Sequence, residues 1–251
     1  MRTRFMSSWI TCPKKNLHPR LRLFCFPYAG GGASMYYTWS NHLPADIEVC
    51  PIQLPGRENR LQEAPFNRLL PLVETLASVI RPYLNIPFAF FGHSMGALIS
   101  FELARQLRRQ GDPTPIHLFV SSRPAPQIPD LEPIHQLPEP WFLAQLQRRY
   151  NGVPDILMQN TELLQLFLPT MRADMAICET YDYTDEAALN LPISAFGGLQ
   201  DRHVSQNDII VWRHQTSETF TLQMLEGDHF FLRDARYPLL NAIAEELIQF
   251  L

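Results

Sequence analysis

Gly92-His93-Ser94-Met95-Gly96 is the feature of this sequence with the clearest chemistry. It follows the apolar run Phe88–Phe91 and precedes a helical pattern over Ala97–Arg109, so the serine falls at a strand-to-helix turn. The bare pattern G-x-S-x-G arises by chance in many chains, and this setting is what gives it weight. Glycines at 92 and 96 let strand and helix backbones come close. A strained turn then projects the hydroxyl from the carboxyl end of the strand, above a helix start that favours developing negative charge. Such a serine attacks an acyl carbon, but it needs a base, and the base needs an orienting acid.

Eight histidines compete for the role of base. His93 adjoins Ser94, but neighbouring side chains diverge on a sharp turn, which makes it a packing or hydrogen-bonding neighbour. His18 and His42 precede the serine, and His117 begins a strand. His229 lies in Glu226-Gly227-Asp228-His229, between the last strand and the last helix, and opens at the same sheet edge as Ser94 if the strands are parallel. It is assigned as the base, the competing reading being a helix-capping histidine. The acid is expected between serine and base in chain order. Asp201 follows the strand Ile193–Phe196 and Gly197-Gly198 and is chosen, with a plain turn aspartate as the alternative. Asp228 would have to fold back on its neighbour, Asp208 lies inside a helix, and His203 is expected to face solvent.

The remaining requirement is a pair of backbone donors for an oxyanion. The residue after the nucleophile, Met95, supplies one N–H, and Ala29 in the loop Phe26-Pro27-Tyr28-Ala29-Gly30-Gly31-Gly32 is assigned the other. Those glycines do not suit a phosphate: no Lys-Ser/Thr follows, and Met35 stands where the third glycine of G-x-G-x-x-G would fall. Neither a cofactor nor a metal is expected.

These residues must be positioned by a sheet. Apolar runs at Leu21–Phe26, Ile47–Ile52, Phe88–Phe91, Leu118–Ser121, Ile193–Phe196 and Phe220–Leu225 alternate with helical periodicity, the pattern of an α/β fold with a mostly parallel central sheet flanked by helices. Helices are expected over Ser34–Leu43, from Leu69 to Tyr83, over Ala97–Arg109, from about Gln206 and from about Tyr237 to Phe250. The rhythm lapses over residues 123–191, where a proline-rich stretch leads into helical runs around Trp141–Tyr150 and Thr161–Arg172. That lapse reads as an insertion in a single domain spanning residues 1–251. Six of the 22 prolines, Pro124, Pro126, Pro129, Pro133, Pro138 and Pro140, open the insertion, which predicts a stiff, extended lead-in.

Composition excludes several classes. The formal net charge of -4 argues against a general nucleic-acid binder, and no uncharged apolar run is long enough to span a membrane. Residues 1–20 form a basic arm holding Arg2, Arg4, Lys14, Lys15 and Arg20, which reads as a solvated lead-in to the first strand or as a feature that steers an acidic partner. Four cysteines, Cys12, Cys25, Cys50 and Cys178, show no metal-like or paired spacing, which predicts a cytoplasmic protein without disulfides.

Several further motifs occur in one order: Phe26-Pro27-Tyr28-Ala29-Gly30-Gly31, Leu54-Pro55-Gly56-Arg57-Glu58, Phe91-Gly92-His93-Ser94-Met95-Gly96-Ala97, Leu168-Pro169-x-x-Arg172-Ala173-Asp174 and Gly227-x-His229-Phe230-Phe231. Together they resemble the type II thioesterases, stand-alone α/β-hydrolases of nonribosomal peptide and polyketide synthesis. The resemblance covers nearly the whole chain after the basic leader. It implies hydrolysis of acyl groups from the phosphopantetheine arm of acyl or peptidyl carrier domains, by Ser94, Asp201 and His229 with Ala29 and Met95 as oxyanion donors. The cofactor-like arm would belong to the partner, and a monomer is expected. The resemblance also implies that residues 123–191 form a helical lid, with Trp141, Phe142, Leu146, Met158, Leu163, Phe167 and Met171 as channel lining or as lid core. Leu54–Arg60 would shape the entrance, unless Arg57 and Arg60 are ordinary surface charges. The same residues would also serve an esterase or acyltransferase on small acyl substrates, and a silent hydrolase fold acting as a binding module is the non-enzymatic alternative.

Overall fold

The computed structural model describes residues 8–14, 16–130, 132–151 and 159–251. Met158, and Arg2, Arg4 and Lys15 of the basic arm, lie outside the described residues. Six strands form one parallel sheet: β1 (Leu21–Phe26), β2 (Ile47–Pro51), β3 (Phe88–His93), β4 (Leu118–Ser121), β5 (Ile193–Gly198) and β6 (Phe220–Leu225), in the order β2-β1-β3-β4-β5-β6. β1, β3 and β5 are buried at every position, as strands covered on both faces must be. The chain steps outward from β1 to β2 and then back past β1 to β3. The connections after β1 and β3 therefore leave in opposite senses, and a crevice opens at the carboxyl ends of these two strands.

Helices α1 (Leu69–Ile80) and α2 (Met95–Gln110) cover one face of the sheet, and α6 (Arg236–Ile248) covers the other. Pro71 sits in the first turn of α1, where its missing N–H would have had no helical partner. Gly111 ends α2 in the left-handed region at φ 66. The expected helix Ser34–Leu43 is instead two 3-10 turns, Ala33–Tyr36 and Trp39–Asn41. Neither turn has a side-chain N-cap, and the segment is rich in aromatic residues that tertiary contacts claim. The Tyr36 hydroxyl donates to the Phe26 carbonyl at 2.8 Å, and Trp39 packs edge-on against Phe91 at 4.8 Å. Short helix α5 (Gln206–Ile210) starts with a capping box between Ser205 and Asp208.

Between β4 and β5 lie helices α3 (Glu139–Tyr150) and α4 (Thr161–Glu179). α4 continues past Arg172 because its far turns bury Asp174, Met175, Ala176, Ile177 and Cys178. The two helices share a small apolar core of Ile134, Phe142, Leu143, Leu146, Leu164, Leu168 and Met175. The proline-rich lead-in is irregular and tied down by its neighbours. Trp212 donates to the Arg123 carbonyl at 2.9 Å, Ala125 N–H to the Asp208 carbonyl at 3.1 Å, and Arg172 to the His135 carbonyl at 2.8 Å. Proline removes backbone donors, so these partners outside the segment add to short internal turns such as Ile128 N–H to the Ala125 carbonyl at 2.9 Å.

All four cysteines are free thiols. Among the described residues, no helix is long and apolar enough to cross a membrane.

Two glycines, one inside α2 and one just past its end, separate close packing from backbone strain. A Cβ on Gly96 would lie 2.1 Å from the Phe26 carbonyl oxygen, whereas one on Gly111 would meet nothing within 4 Å and only carry the strain of φ +66. Gly111→Ala is expected to lose about 1 kcal/mol, and Gly96→Ala about 3 kcal/mol or more, because backbone must move. Thermal unfolding measures both, at roughly 2–4 °C per kcal/mol for a chain of this size.

Candidate active site

Ser94 stands between β3 and α2 with φ 53 and ψ -113, a conformation that L-residues rarely adopt. Close packing holds it there. A Cβ on Gly92 would lie 2.1 Å from the Gly96 carbonyl, and Gly96 in turn abuts the end of β1. The Ser94 N–H donates to the Ser121 carbonyl at 2.7 Å, which fixes the turn to β4 as well.

The three residues singled out for catalysis are brought together. His229 Nε2 lies 3.0 Å from Ser94 Oγ, and His229 Nδ1 lies 2.8 Å from Asp201 Oδ2. With Nδ1–H donated to the carboxylate, Nε2 is left with a lone pair facing the serine hydroxyl. Asp201 is fixed by its own loop, since Oδ1 accepts the N–H groups of His203 at 2.9 Å and Val204 at 3.1 Å. Burial alone would raise the Asp201 carboxyl. The hydrogen bond and charge of His229 and the two backbone donors outweigh it and hold the group below its ordinary 3.8. The loops carrying acid and base are locked together. Gln200 N–H donates to the Gly227 carbonyl at 2.9 Å, Gly227 N–H donates back to Gln200 Oε1 at 2.6 Å, and a Cβ on Gly198 would collide with the Asp228 carbonyl.

His93 is a buried neighbour of the site. Its Nδ1 pairs with Ser121 Oγ at 2.8 Å and its ring meets that of His229 at 5.5 Å. Burial pushes it well below the ordinary histidine value of 6.5, so it stays neutral and adds no repulsion when His229 takes a proton. His203, expected to face solvent, is half-buried. Its Nε2 is 3.0 Å from the Tyr150 hydroxyl of α3, and burial lowers its basicity. Tyr150 also packs against the His229 ring at 5.0 Å.

Ala29 occupies a turn just after β1 and lines the same cavity as Ser94, while Met95 is the first residue of α2. Among the described residues, no hydrogen bond engages either N–H. Both are thus available to an oxygen bearing negative charge.

Two cavities meet at Ser94, Arg123, Tyr150 and His229. One is a polar vestibule of about 450 Å³ that includes Arg148, Arg149, Arg202 and His203. The other is a slot of about 160 Å³ walled by Leu146, Phe167, Met171, Met175 and Phe230. Of the residues offered as lining, Leu146, Phe167 and Met171 border the slot; Phe142 is buried in the α3–α4 core and Trp141 is 66% exposed. Tyr150, Arg123, Met175 and Cys178 also border the slot and were not singled out by sequence. A helical spacing of four from Phe167 through Met171 to Met175 was the available signal for one of them. Arg57 and Arg60 are not surface charges: they are 3% and 5% exposed.

Residues 21–251 match the family described as "Thioesterase domain". The chain is 47% identical to "Gramicidin S biosynthesis protein GrsT" of Aneurinibacillus migulanus, over 96% of this chain and 94% of that protein. Among solved structures it is similar to RedJ, a thioesterase from the prodiginine biosynthetic pathway in Streptomyces coelicolor, with TM-score 0.87, 37% identity and 91% of each chain covered. It is also similar to BorB, a type II thioesterase from the borrelidin biosynthetic cluster, with TM-score 0.85, 33% identity, and coverage of 96% of this chain and 97% of that one.

Asp201→Asn tests the site's electrostatics. Loss of the carboxylate removes the preference for the Nδ1–H tautomer, and kcat for acyl transfer is expected to fall by about 10⁴ with the fold retained. The lowered value of Asp201 also stabilises the native state above about pH 3.8 and is lost as pH falls through the still lower folded value. Denaturant titrations against pH are therefore expected to show a shallower acid decline for the variant.

Proposed function

The chain belongs to the thioesterase family and is a serine hydrolase acting on thioesters, and from that premise we propose that its substrates are acyl groups on the phosphopantetheine arm of carrier domains in a nonribosomal peptide or polyketide synthase. Hydrolysis there would clear misprimed or stalled units and return the free thiol. The observation that carries this reading is the pair of cavities meeting at Ser94. A thioester at the end of a long polar arm needs an open polar approach and a separate small apolar slot for the acyl group. The vestibule and the slot supply those two spaces, and described residues of the inserted segment, Arg123 and Tyr150 among them, supply one wall of each as a lid.

Ser94, Asp201 and His229 then act in the following sequence. His229 Nε2 takes the proton of Ser94 as Oγ bonds to the thioester carbonyl carbon. The carbonyl oxygen becomes an oxyanion between the N–H groups of Ala29 and Met95, each such donor being worth about 2.7–4 kcal/mol in a transition state. Collapse breaks the carbon–sulfur bond, and the departing thiol takes the proton from His229. Water enters, gives a proton to His229 and attacks the acyl-serine ester. The second collapse releases the carboxylic acid and returns the proton to Ser94 Oγ. Asp201 stays ionised throughout and stabilises the imidazolium. The similarity to GrsT, named for gramicidin S biosynthesis, and to RedJ, a thioesterase of the prodiginine biosynthetic pathway, supports a partner of this kind.

Release from a panel of acyl-carrier proteins, followed by intact mass, tests the substrate. Carrier-bound thioesters are expected to turn over, and Ser94→Ala to lose about 10⁶ in kcat. Equal rates on free oxygen esters with no release from carriers would favour the small-ester reading instead.

A further inference from the structure

The turn that presents Ala29 is held by a buried ion pair that takes no part in the triad. Residues Tyr28–Gly31 close through a Gly31 N–H to Tyr28 carbonyl bond of 2.9 Å, with Gly30 in third position at φ 79. A positive φ at that position marks a type II turn, whose central peptide is flipped relative to type I. The flipped Gly30 N–H donates to Asp174 Oδ2 at 2.7 Å. Arg57 grips the same carboxylate as a fork, Nη1 to Oδ2 at 2.7 Å and Nη2 to Oδ1 at 2.8 Å, and Nη1 also donates to the Gly31 carbonyl at 3.1 Å. The two side chains are 3% and 0% exposed. Around them, Gln53 accepts the Ala33 N–H at 2.8 Å and donates to the Arg57 carbonyl at 2.9 Å, and Thr170 of α4 donates to the Gly56 carbonyl at 2.6 Å.

A buried ion pair is poor evidence of stabilisation, because apolar residues often serve as well. What the bidentate fork does supply is direction. The donors fix both carboxylate oxygens, and the carboxylate fixes the Gly30 amide. The Ala29 N–H belongs to the preceding peptide of the same hydrogen-bonded turn, so anchoring the turn at the Gly30 amide and the Gly31 carbonyl sets where that N–H sits.

We propose that Arg57 and Asp174 are positioning residues for the oxyanion turn: they anchor the Tyr28–Gly31 turn so that the Ala29 N–H, in its first peptide, stays aligned on the reacting carbonyl. Asp174 belongs to α4, so the alignment holds only while α4 is seated on the turn. The inference rests on Ala29 as an oxyanion donor in the reading above.

The test compares two analogues of an acyl-pantetheine. A trifluoromethyl ketone adds reversibly to Ser94 and places an oxyanion in the hole; a plain thioether lacks that oxygen. For Asp174→Asn, kcat is expected to fall about 10–100-fold with KM changed little. Affinity for the ketone should fall in the same ratio, while affinity for the thioether stays near wild type. Arg57→Lys, which keeps the charge but not the fork, should fall between. If Asp174→Asn does not fold because it strands Arg57, the neutral double variant Arg57→Gln/Asp174→Asn removes that charge and is expected to show the same selective loss. Wild-type ketone affinity in these variants, or equal loss of both analogues, overturns the proposal. If the wild-type protein itself does not capture the ketone at Ser94, the acyl-enzyme reading fails and this inference falls with it. If capture is normal and the Arg57 and Asp174 variants match it, only this inference falls.

Discussion

The backbone at Ser94 is the constraint on which the rest of the structure depends. Its φ of 53 and ψ of -113 aim the hydroxyl out of the sheet, and that conformation persists only where the surroundings over-determine it. Two backbone approaches do so, Gly92 against Gly96 and Gly96 against Phe26. The second ties the Ser94 turn to the strand that leads into Ala29. Adjacent β1 and β3, the glycine contacts and the start of α2 thus place Ser94 and the N–H groups of Ala29 and Met95 at one end of the crevice in the sheet.

Two buried aspartates serve this site in different ways. Asp201 orients the His229 imidazole, and its ionisation is secured by His229 and two backbone amides. Asp174 orients a peptide group, and its charge is matched by a guanidinium that also binds the peptide's neighbour. Each carboxylate has its oxygens occupied by directional donors, which is the condition under which a buried charge specifies geometry. One is set on the loop after β5 and the other on α4, so the sheet and the helical insertion each contribute one fixed anion.

The sheet was legible because strands β1 to β5 are short apolar runs buried on both faces, and a run such as Leu21–Phe26 has no other good use. That Ser94, Asp201 and His229 would meet was legible because each follows a strand and parallel strands bring such loops to one edge. What sequence could not show depends on tertiary contact. The aromatic-rich stretch after Gly32 breaks into 3-10 turns because Tyr36 and Trp39 are claimed by Phe26 and Phe91. Arg57 read equally well as a solvated charge, since its partner lies 117 residues away. Tyr150 and His203 meet across the insertion, a pairing that no spacing encodes.

In the proposed function, a covalent acyl group on Ser94 is the intermediate that this geometry forms. Rapid chemical quench of the protein mixed with an acyl-carrier protein, followed by intact-mass and peptide analysis, observes it directly. The account predicts that, within the first turnover, the protein gains the mass of the acyl group on the peptide containing Ser94 while an equal amount of carrier thiol is freed. Release of carboxylic acid with no acyl-protein at any time, or acyl mass on a residue other than Ser94, would contradict it.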